Sequence, residues 1–248
     1  MMRSSNPALQ TGTFSGYGYV SDAETMTSQG VVAKTGLLLL FTMLTAGWTW
    51  AQFYRAGGDP AAVSGWMMLG LFGGFILAMV TIFKKEWAPV TASFYALCEG
   101  FFIGGISSIF EARFPGIVIQ AASLTFGTLF AMLVLYRSGY IRVTESFKMG
   151  IVAATGGIAL VYFAAIILSF FGVHASFIYQ GGILGIGFSL FVVAIAALNL
   201  VLDFDLIDNG VRRGAPKFME WYCSFALMVT LIWLYIEFLR LLSKVRSR

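Results

Sequence analysis

Residues 149–202 read MGIVAATGGIALVYFAAIILSFFGVHASFIYQGGILGIGFSLFVVAIAALNLVL, and none of these 54 residues is Asp, Glu, Lys or Arg. A helix that crosses a membrane uses about 20 apolar residues, so this stretch is long enough for two. The segment FGVHAS at 171–176 supplies a glycine and polar side chains, which favour a turn between the two helices. The stretch therefore predicts a pair of membrane-spanning helices.

Charged residues divide the rest of the chain into five further apolar stretches. These lie at 35–54, 60–83, 87–110, 114–136 and 221–241; Glu99 interrupts the third and Glu237 the last. The composition is 58% hydrophobic and only 11% charged, whereas soluble domains carry about a quarter charged residues. The stretches show no alternation of period two, which favours helices over a β-barrel. The sequence predicts an all-α integral membrane protein with seven transmembrane helices.

The predicted domain organisation is simple. Residues 1–30 are polar and are expected to form a disordered cytoplasmic tail, residues 31–242 the transmembrane domain, and residues 243–248 a basic C-terminal tail. We expect no enzyme, because the chain has no phosphate-binding loop or dinucleotide fingerprint and a single histidine. Cys98 and Cys223 fall in apolar stretches and are interpreted as small hydrophobic residues rather than metal ligands.

The distribution of Lys and Arg predicts the orientation. Lipid is the expected environment, and no nucleic-acid partner is expected, because the basic residues lie at helix ends. The basic C-terminal tail does not follow this distribution, since seven crossings place it outside the cytoplasm. The alternative is a re-entrant last helix, which would return the tail to the cytoplasm. A crossing helix is favoured because its 20 residues are enough to span the membrane. Ten basic residues fall on the N-terminal side and two on the other, which predicts a cytoplasmic N-terminus: Arg3, Lys34, Lys84, Lys85, Arg137, Arg142, Lys148, Arg212, Arg213 and Lys217 against Arg55 and Arg113.

Three aspartates follow the uncharged stretch at the cytoplasmic end of the sixth helix. Asp205 and Asp208 share one face of a helix, whereas Asp203 points to a nearly opposite one. A carboxylate at a membrane boundary is costly unless it is hydrated, paired or bound to a cation, so these aspartates are candidate cation or proton sites. The alternative is a solvated helix end whose acids pair with Arg212 and Arg213.

Three glutamates are further candidates. Glu99 lies about 12 residues into the third helix, near the bilayer midplane, so it is either a cation or proton ligand or a hydrogen-bonded link through Ser, Thr or Tyr hydroxyls. Glu220 opens the seventh helix, where the helix dipole favours an acid. Glu237 precedes Arg240 by three residues and is expected to form a surface pair with it.

Six short segments together form a recognisable pattern: NPA at 6–8, KTGLLL at 34–39, EG at 99–100, LDFDLI at 202–207, EWY at 220–222 and LYIEFLRLL at 234–242. In these segments the chain resembles the Bax inhibitor family, also called the transmembrane Bax inhibitor motif family, in its bacterial branch. The resemblance implies seven helices with the last one central and wrapped by the other six. It also implies a pH-sensitive calcium leak governed by two acids, one on the sixth helix and one on the seventh.

The resemblance assigns Asp203 to the acid of the sixth helix. At the acidic position of the seventh helix this chain has Thr230, and Glu237 lies two turns further on. The expected proton-sharing pair is therefore absent or rebuilt from Asp203 with one of Asp205, Glu99 or Glu220.

Two functions follow as expectations. The leading one is a passive cation leak in the bacterial plasma membrane, with Ca²⁺ as permeant or bound ion and no other cofactor. The alternative is a non-conducting modulator of a membrane-bound quality-control protease or of a stress response, which would use the tail segment RSSNPA at 3–8 as its handle. Proton-coupled transport is disfavoured because no internal repeat is evident. The oligomeric state stays open.

Overall fold

The computed structural model describes residues 25–171 and 182–247, and within these ranges the chain is helical. All seven helices are long and apolar enough to cross a membrane, so the predicted fold class is confirmed. A single 3-10 turn, Lys85–Trp87, precedes the third helix. The helices are α1 Ser28–Arg55, α2 Ala61–Phe83, α3 Ala88–Arg113, α4 Ile117–Arg137, α5 Glu145–Phe170, α6 Ile183–Arg212 and α7 Met219–Arg246.

The ends of the helices extend beyond the predicted transmembrane domain. The Thr27 hydroxyl accepts a hydrogen bond from the Gly30 amide, so α1 begins at Ser28 rather than after residue 30. At the other end α7 continues to Arg246, so most of the predicted C-terminal tail is helical. The predicted turn at 171–176 and the segment RSSNPA at 3–8 lie outside the described residues.

The last helix is unbroken over 28 residues. At ~1.5 Å per residue it is about 42 Å long, which exceeds the ~30 Å hydrocarbon core of a bilayer. A re-entrant segment turns back within the membrane, whereas α7 is one continuous helix from Met219 to Arg246. Half of the residues in its most apolar stretch of 18 are buried, whereas the corresponding share is 17% in each of α2, α4 and α5. Its continuity and burial suit a crossing helix; the central position implied by the resemblance stays a prediction.

The chain divides into two units. The first comprises the residues up to Pro115 together with Asp205–Val229, and the second comprises Gly116–Phe204 with Thr230–Arg248. Helices α6 and α7 are therefore each divided between the two units, with one segment in the first unit and one in the second.

Close packing of small residues characterises the first unit. A Cβ on Gly70 of α2 would lie 2.5 Å from the Cys98 carbonyl oxygen of α3, and one on Gly104 of α3 would lie 2.6 Å from the Ala46 Cα of α1. The Thr42 hydroxyl adds a 3.0 Å hydrogen bond across α1 and α3 to a backbone carbonyl. The glycine pairs 70–74 and 100–104 therefore mark close approaches between neighbouring helices.

Polar contacts tie together the helices of the second unit. The Asn199 amide of α6 donates to the Thr155 hydroxyl of α5 at 2.9 Å. Arg246 at the end of α7 donates to the Gln120 side chain of α4, also at 2.9 Å. Large apolar side chains such as Phe130 remain exposed on the protein, which is the arrangement expected of surfaces that face lipid acyl chains.

Candidate functional site

Asp203 lies on α6 within the second unit and is buried, with 8% of its surface exposed. The Thr230 hydroxyl of α7 donates a hydrogen bond to its carboxylate. Among the described residues, the Asp203 Oδ2 atom is buried and has no hydrogen-bond partner. A buried carboxylate oxygen without a partner loses its hydration without compensation, which makes this atom a candidate acceptor for a proton or a cation.

The two other aspartates of α6 occupy a different environment. Asp205 and Asp208 are only half-buried, in agreement with the predicted separation of the faces. Asp208 Oδ2 lies 3.8 Å from Arg212 Nη2, one turn further along the helix. The predicted pairing with Arg212 is therefore confirmed for Asp208, and this pair is the solvated helix end considered as an alternative.

Glu99 lies in the middle of α3 and is half-buried. The Tyr95 hydroxyl, one turn earlier on the same helix, donates a hydrogen bond to its carboxylate. A Cβ on Gly74 of α2 would lie 2.8 Å from Glu99 Oε1, so this glycine makes room for the carboxylate. The sequence interpretation of Glu99 as a hydrogen-bonded link required a hydroxyl partner. Glu99 has such a partner, but the hydroxyl belongs to the same helix rather than to a neighbouring helix.

Glu220 is fully buried near the start of α7 and belongs to the first unit. Its Oε1 accepts hydrogen bonds from the amide and the hydroxyl of Thr27, at 2.9 and 3.1 Å. Its Oε2 accepts from the Lys34 ammonium of α1, which forms an ion pair. A role limited to the helix dipole was therefore too narrow, because a buried acid needs donors and α1 supplies them.

Glu237 lies on α7 in the second unit and is 1% exposed. Its Oε1 accepts from the Tyr162 hydroxyl of α5 at 3.0 Å and from Arg240 Nη1 at 3.1 Å. The predicted pair with Arg240 is confirmed, but its placement at the surface was wrong, because Tyr162 and the neighbouring helices enclose the carboxylate. The second oxygen, Oε2, is buried, and no described residue provides it with a hydrogen-bond partner.

Lys244 is a buried charged group that the sequence did not reveal as buried. It was assigned to the C-terminal tail, yet it is buried in α7 with 6% exposure. Its ammonium donates to the Ser189 hydroxyl at 2.7 Å and to the Gly185 carbonyl at 3.1 Å, both on α6. Its position seven residues after Glu237, on the same helical face, was the available signal.

The family model described as Bax inhibitor 1 like matches residues 6–247, which is nearly the whole chain. The chain belongs to the Bax inhibitor 1-like family. No curated protein and no solved structure matches it. Membership agrees with the resemblance read from the short segments, and the sites above are therefore sites of a Bax inhibitor 1-like protein.

In this member of the Bax inhibitor 1-like family, the acid candidates have different hydrogen-bond partners. Asp203 is held by Thr230, whereas Glu99, Glu220 and Glu237 are each held by other groups. Within the described residues, no group of three or more His, Cys, Asp or Glu side chains is placed to hold a metal ion.

Proposed function

We propose that the protein is a passive, pH-sensitive cation leak with no enzymatic activity, that Ca²⁺ is its permeant ion, and that Asp203 controls the leak. The observation that carries the proposal is the state of the Asp203 carboxylate. Thr230 of α7 binds it, and its Oδ2 is buried with no hydrogen-bond partner in the part of the chain that the structure describes. Membership of the Bax inhibitor 1-like family adds support, since the resemblance assigns Asp203 to the acid of the sixth helix.

The chemistry of a carboxylate explains how one group serves both the cation and the proton. Ionised, Asp203 is only an acceptor, and its unpaired oxygen suits a hard cation such as Ca²⁺. Protonated, the same group gains an O–H donor and loses its charge. A proton and a cation therefore compete for one oxygen atom. The leak should then depend on pH because occupation of Oδ2 changes the α6–α7 contact.

Glu99 is the second acid in the proposal. It provides a carboxylate at mid-membrane depth. Tyr95 holds this carboxylate, and Gly74 leaves space for it because glycine has no Cβ. Such a group lowers the cost of a cation in the apolar interior. We assign Glu99 a transient contact with the ion. Asp203, together with its hydrogen bond to Thr230, has a different role as the latch that controls the leak.

The test is reconstitution of the purified full-length protein into liposomes that contain a calcium dye. Leak rates are measured at pH 6 and pH 8 for the wild type, Asp203→Asn and Glu99→Gln. Asp205→Asn is the matched control, because Asp205 lies on the same helix but is half-buried. We expect Asp203→Asn to abolish the difference between the two pH values and Glu99→Gln to lower the rate. If both variants leak like the wild type at both pH values, the proposal fails.

We also infer that the protein resides in a bacterial plasma membrane with its N-terminus in the cytoplasm. The support is the excess of ten basic residues against two. The uninterrupted α7 then carries the C-terminus to the opposite side. Reporter fusions that fluoresce only in the cytoplasm should be bright at the N-terminus and dark at the C-terminus; the reverse pattern contradicts the inference.

A further inference from the structure

Residues 25–27, which we call the strap, cross from the start of α1 to the loop between α6 and α7. Thr25 forms an isolated antiparallel bridge with Pro216. The Met26 amide donates to the Ala215 carbonyl at 2.7 Å. The strap thus makes backbone contacts with a segment almost 190 residues further along the chain.

The side chain of Met26 anchors the strap. It is 2% exposed and belongs to one buried apolar cluster with residues from the end of α6 and the start of α7. Burial removes the large apolar side chain of a methionine from water, so Met26 favours the bound position of the strap. The cluster members on the two helices are Leu206, Met219, Tyr222 and Cys223.

Thr27 and Lys34 fasten the strap to the first turn of α7. The amide and hydroxyl of Thr27 both donate to Glu220, whose other oxygen binds the Lys34 ammonium. The Ser224 hydroxyl also donates to the Val31 carbonyl of α1 at 2.9 Å. Three donors bind the two oxygens of Glu220, and two of them come from the strap residue Thr27.

The two helix segments that the strap joins are continuous with the segments that carry the proposed latch. Leu206 lies three residues after Asp203 on α6, and Glu220 lies ten residues before Thr230 on α7. A helix transmits a shift of its end along its axis because its backbone hydrogen bonds are intact. Movement of α6 relative to α7 at the strap would therefore alter the Asp203–Thr230 hydrogen bond.

We infer that the strap is a regulatory clamp, which holds the end of α6 to the start of α7 and restrains the leak while it is bound. This inference rests on the proposed function for its effect on ion flow. Its mechanical part, that the strap orders both helix segments, stands on the contacts of residues 25–34 alone. Two measurements separate these parts.

The first measurement locks the strap with a reversible disulfide. The Cα atoms of residues paired across an antiparallel bridge lie about 4.5–5.5 Å apart, within the range of about 4.4–6.8 Å that a disulfide spans. Thr25→Cys with Pro216→Cys is oxidised in a Cys98→Ser background, and peptide mapping identifies the linked residues. The control is Thr81→Cys with Thr91→Cys, which joins α2 to α3 where the two native hydroxyl oxygens are 2.7 Å apart. Calcium leak is measured before and after reduction.

We expect the 25–216 disulfide to lower the leak on the order of five-fold, with recovery on reduction, while the control disulfide changes it little. A leak that stays within about two-fold of the reduced protein overturns the inference. If the reconstituted wild type does not conduct at all, the proposed function has failed, and the second measurement then decides on the clamp.

The second measurement is hydrogen–deuterium exchange of the full-length protein in detergent. Met26→Ala removes the anchor, and Met43→Ala is the control because Met43 is 69% exposed on α1. We expect Met26→Ala to speed amide exchange in both 205–212 and 219–229, and the control to leave both unchanged. Faster exchange confined to residues 25–34 overturns the clamp.

Discussion

The Thr230 hydroxyl of α7 donates a hydrogen bond to the buried Asp203 carboxylate of α6. A threonine therefore occupies the position where the resemblance implies the second acid of a proton-sharing pair. The hydroxyl provides a donor that an ionised carboxylate lacks, so this chain joins α6 and α7 through a neutral partner.

Removal of that donor should destabilise the protein. Thr230→Val keeps the shape of the side chain but leaves Asp203 without its bond to α7, and we expect a loss of about 1–2 kcal/mol. Thermal unfolding in detergent measures the effect. Thr230→Ser retains the hydroxyl and should lose markedly less stability; equal losses for both variants would show that the methyl group, rather than the hydrogen bond, matters.

Introduction of the missing acid should enlarge the pH response. Thr230→Asp places a second carboxylate against Asp203, and two carboxylates in contact titrate as a coupled pair that loses its protons in two separate steps. We expect the calcium leak to differ more between pH 6 and pH 8 than in the wild type. Thr230→Asn, which has similar size but does not ionise, should not enlarge this difference. An identical profile for the Asp and Asn variants argues against proton sharing at this position.

A methyl group at Gly30 should damage the Glu220 network. A Cβ at this position would overlap the Glu220 carboxylate, which would have to leave Lys34 and Thr27. Overpacking of this kind costs about 1–3 kcal/mol. Gly36→Ala is the matched control on α1, because a Cβ there meets nothing within 4 Å. Thermal unfolding should show a lower transition temperature for Gly30→Ala alone.

Tyr162 should stabilise the buried end of α7. Tyr162→Phe removes the hydroxyl that binds Glu237 and leaves Arg240 as the donor to that oxygen, so we expect a loss of about 1 kcal/mol. Tyr140→Phe removes a hydroxyl from a side chain that is 86% exposed and should be neutral. Unchanged stability of both variants would mean that the Tyr162 bond contributes nothing net.

Deletion of residues 2–24 separates the leak from the alternative function. The deletion spares the strap and every group assigned to the leak, so we expect the calcium leak to persist at the wild-type rate. A folded deletion variant without a leak contradicts that assignment. Loss of a membrane protease from pull-downs, with the leak already absent in the wild type, favours the modulator.

The number and approximate ends of the helices were predictable because they depend on local properties. A span requires about 20 apolar residues, and charges such as Lys34, Arg55 and Lys84 mark where each apolar stretch stops. The separation of Asp203 from Asp205 and Asp208 followed from helical phase for the same reason. The close packing at Gly70 and Gly104 was predictable because small residues repeated four apart leave a groove for a neighbouring backbone.

The partners of the buried acids were not predictable in this way. Glu220 and Thr27 are 193 residues apart, and Glu237 and Tyr162 are 75 apart. No periodicity links such distant positions, so composition and spacing identified the acids without identifying what satisfies them. The same holds for Lys244, which looks like part of a basic tail until α6 supplies Ser189.

The sequence by itself determined that this chain spans a membrane seven times, because each span depends only on the hydropathy and backbone hydrogen bonding of its own residues. Only the tertiary structure decided which carboxylates are satisfied and which keep a free oxygen. Within residues 25–171 and 182–247, Asp203 and Glu237 each retain one buried oxygen without a partner, whereas both oxygens of Glu220 are bound. The physical reason is that desolvation and hydrogen bonding depend on neighbours that folding brings from distant parts of the chain.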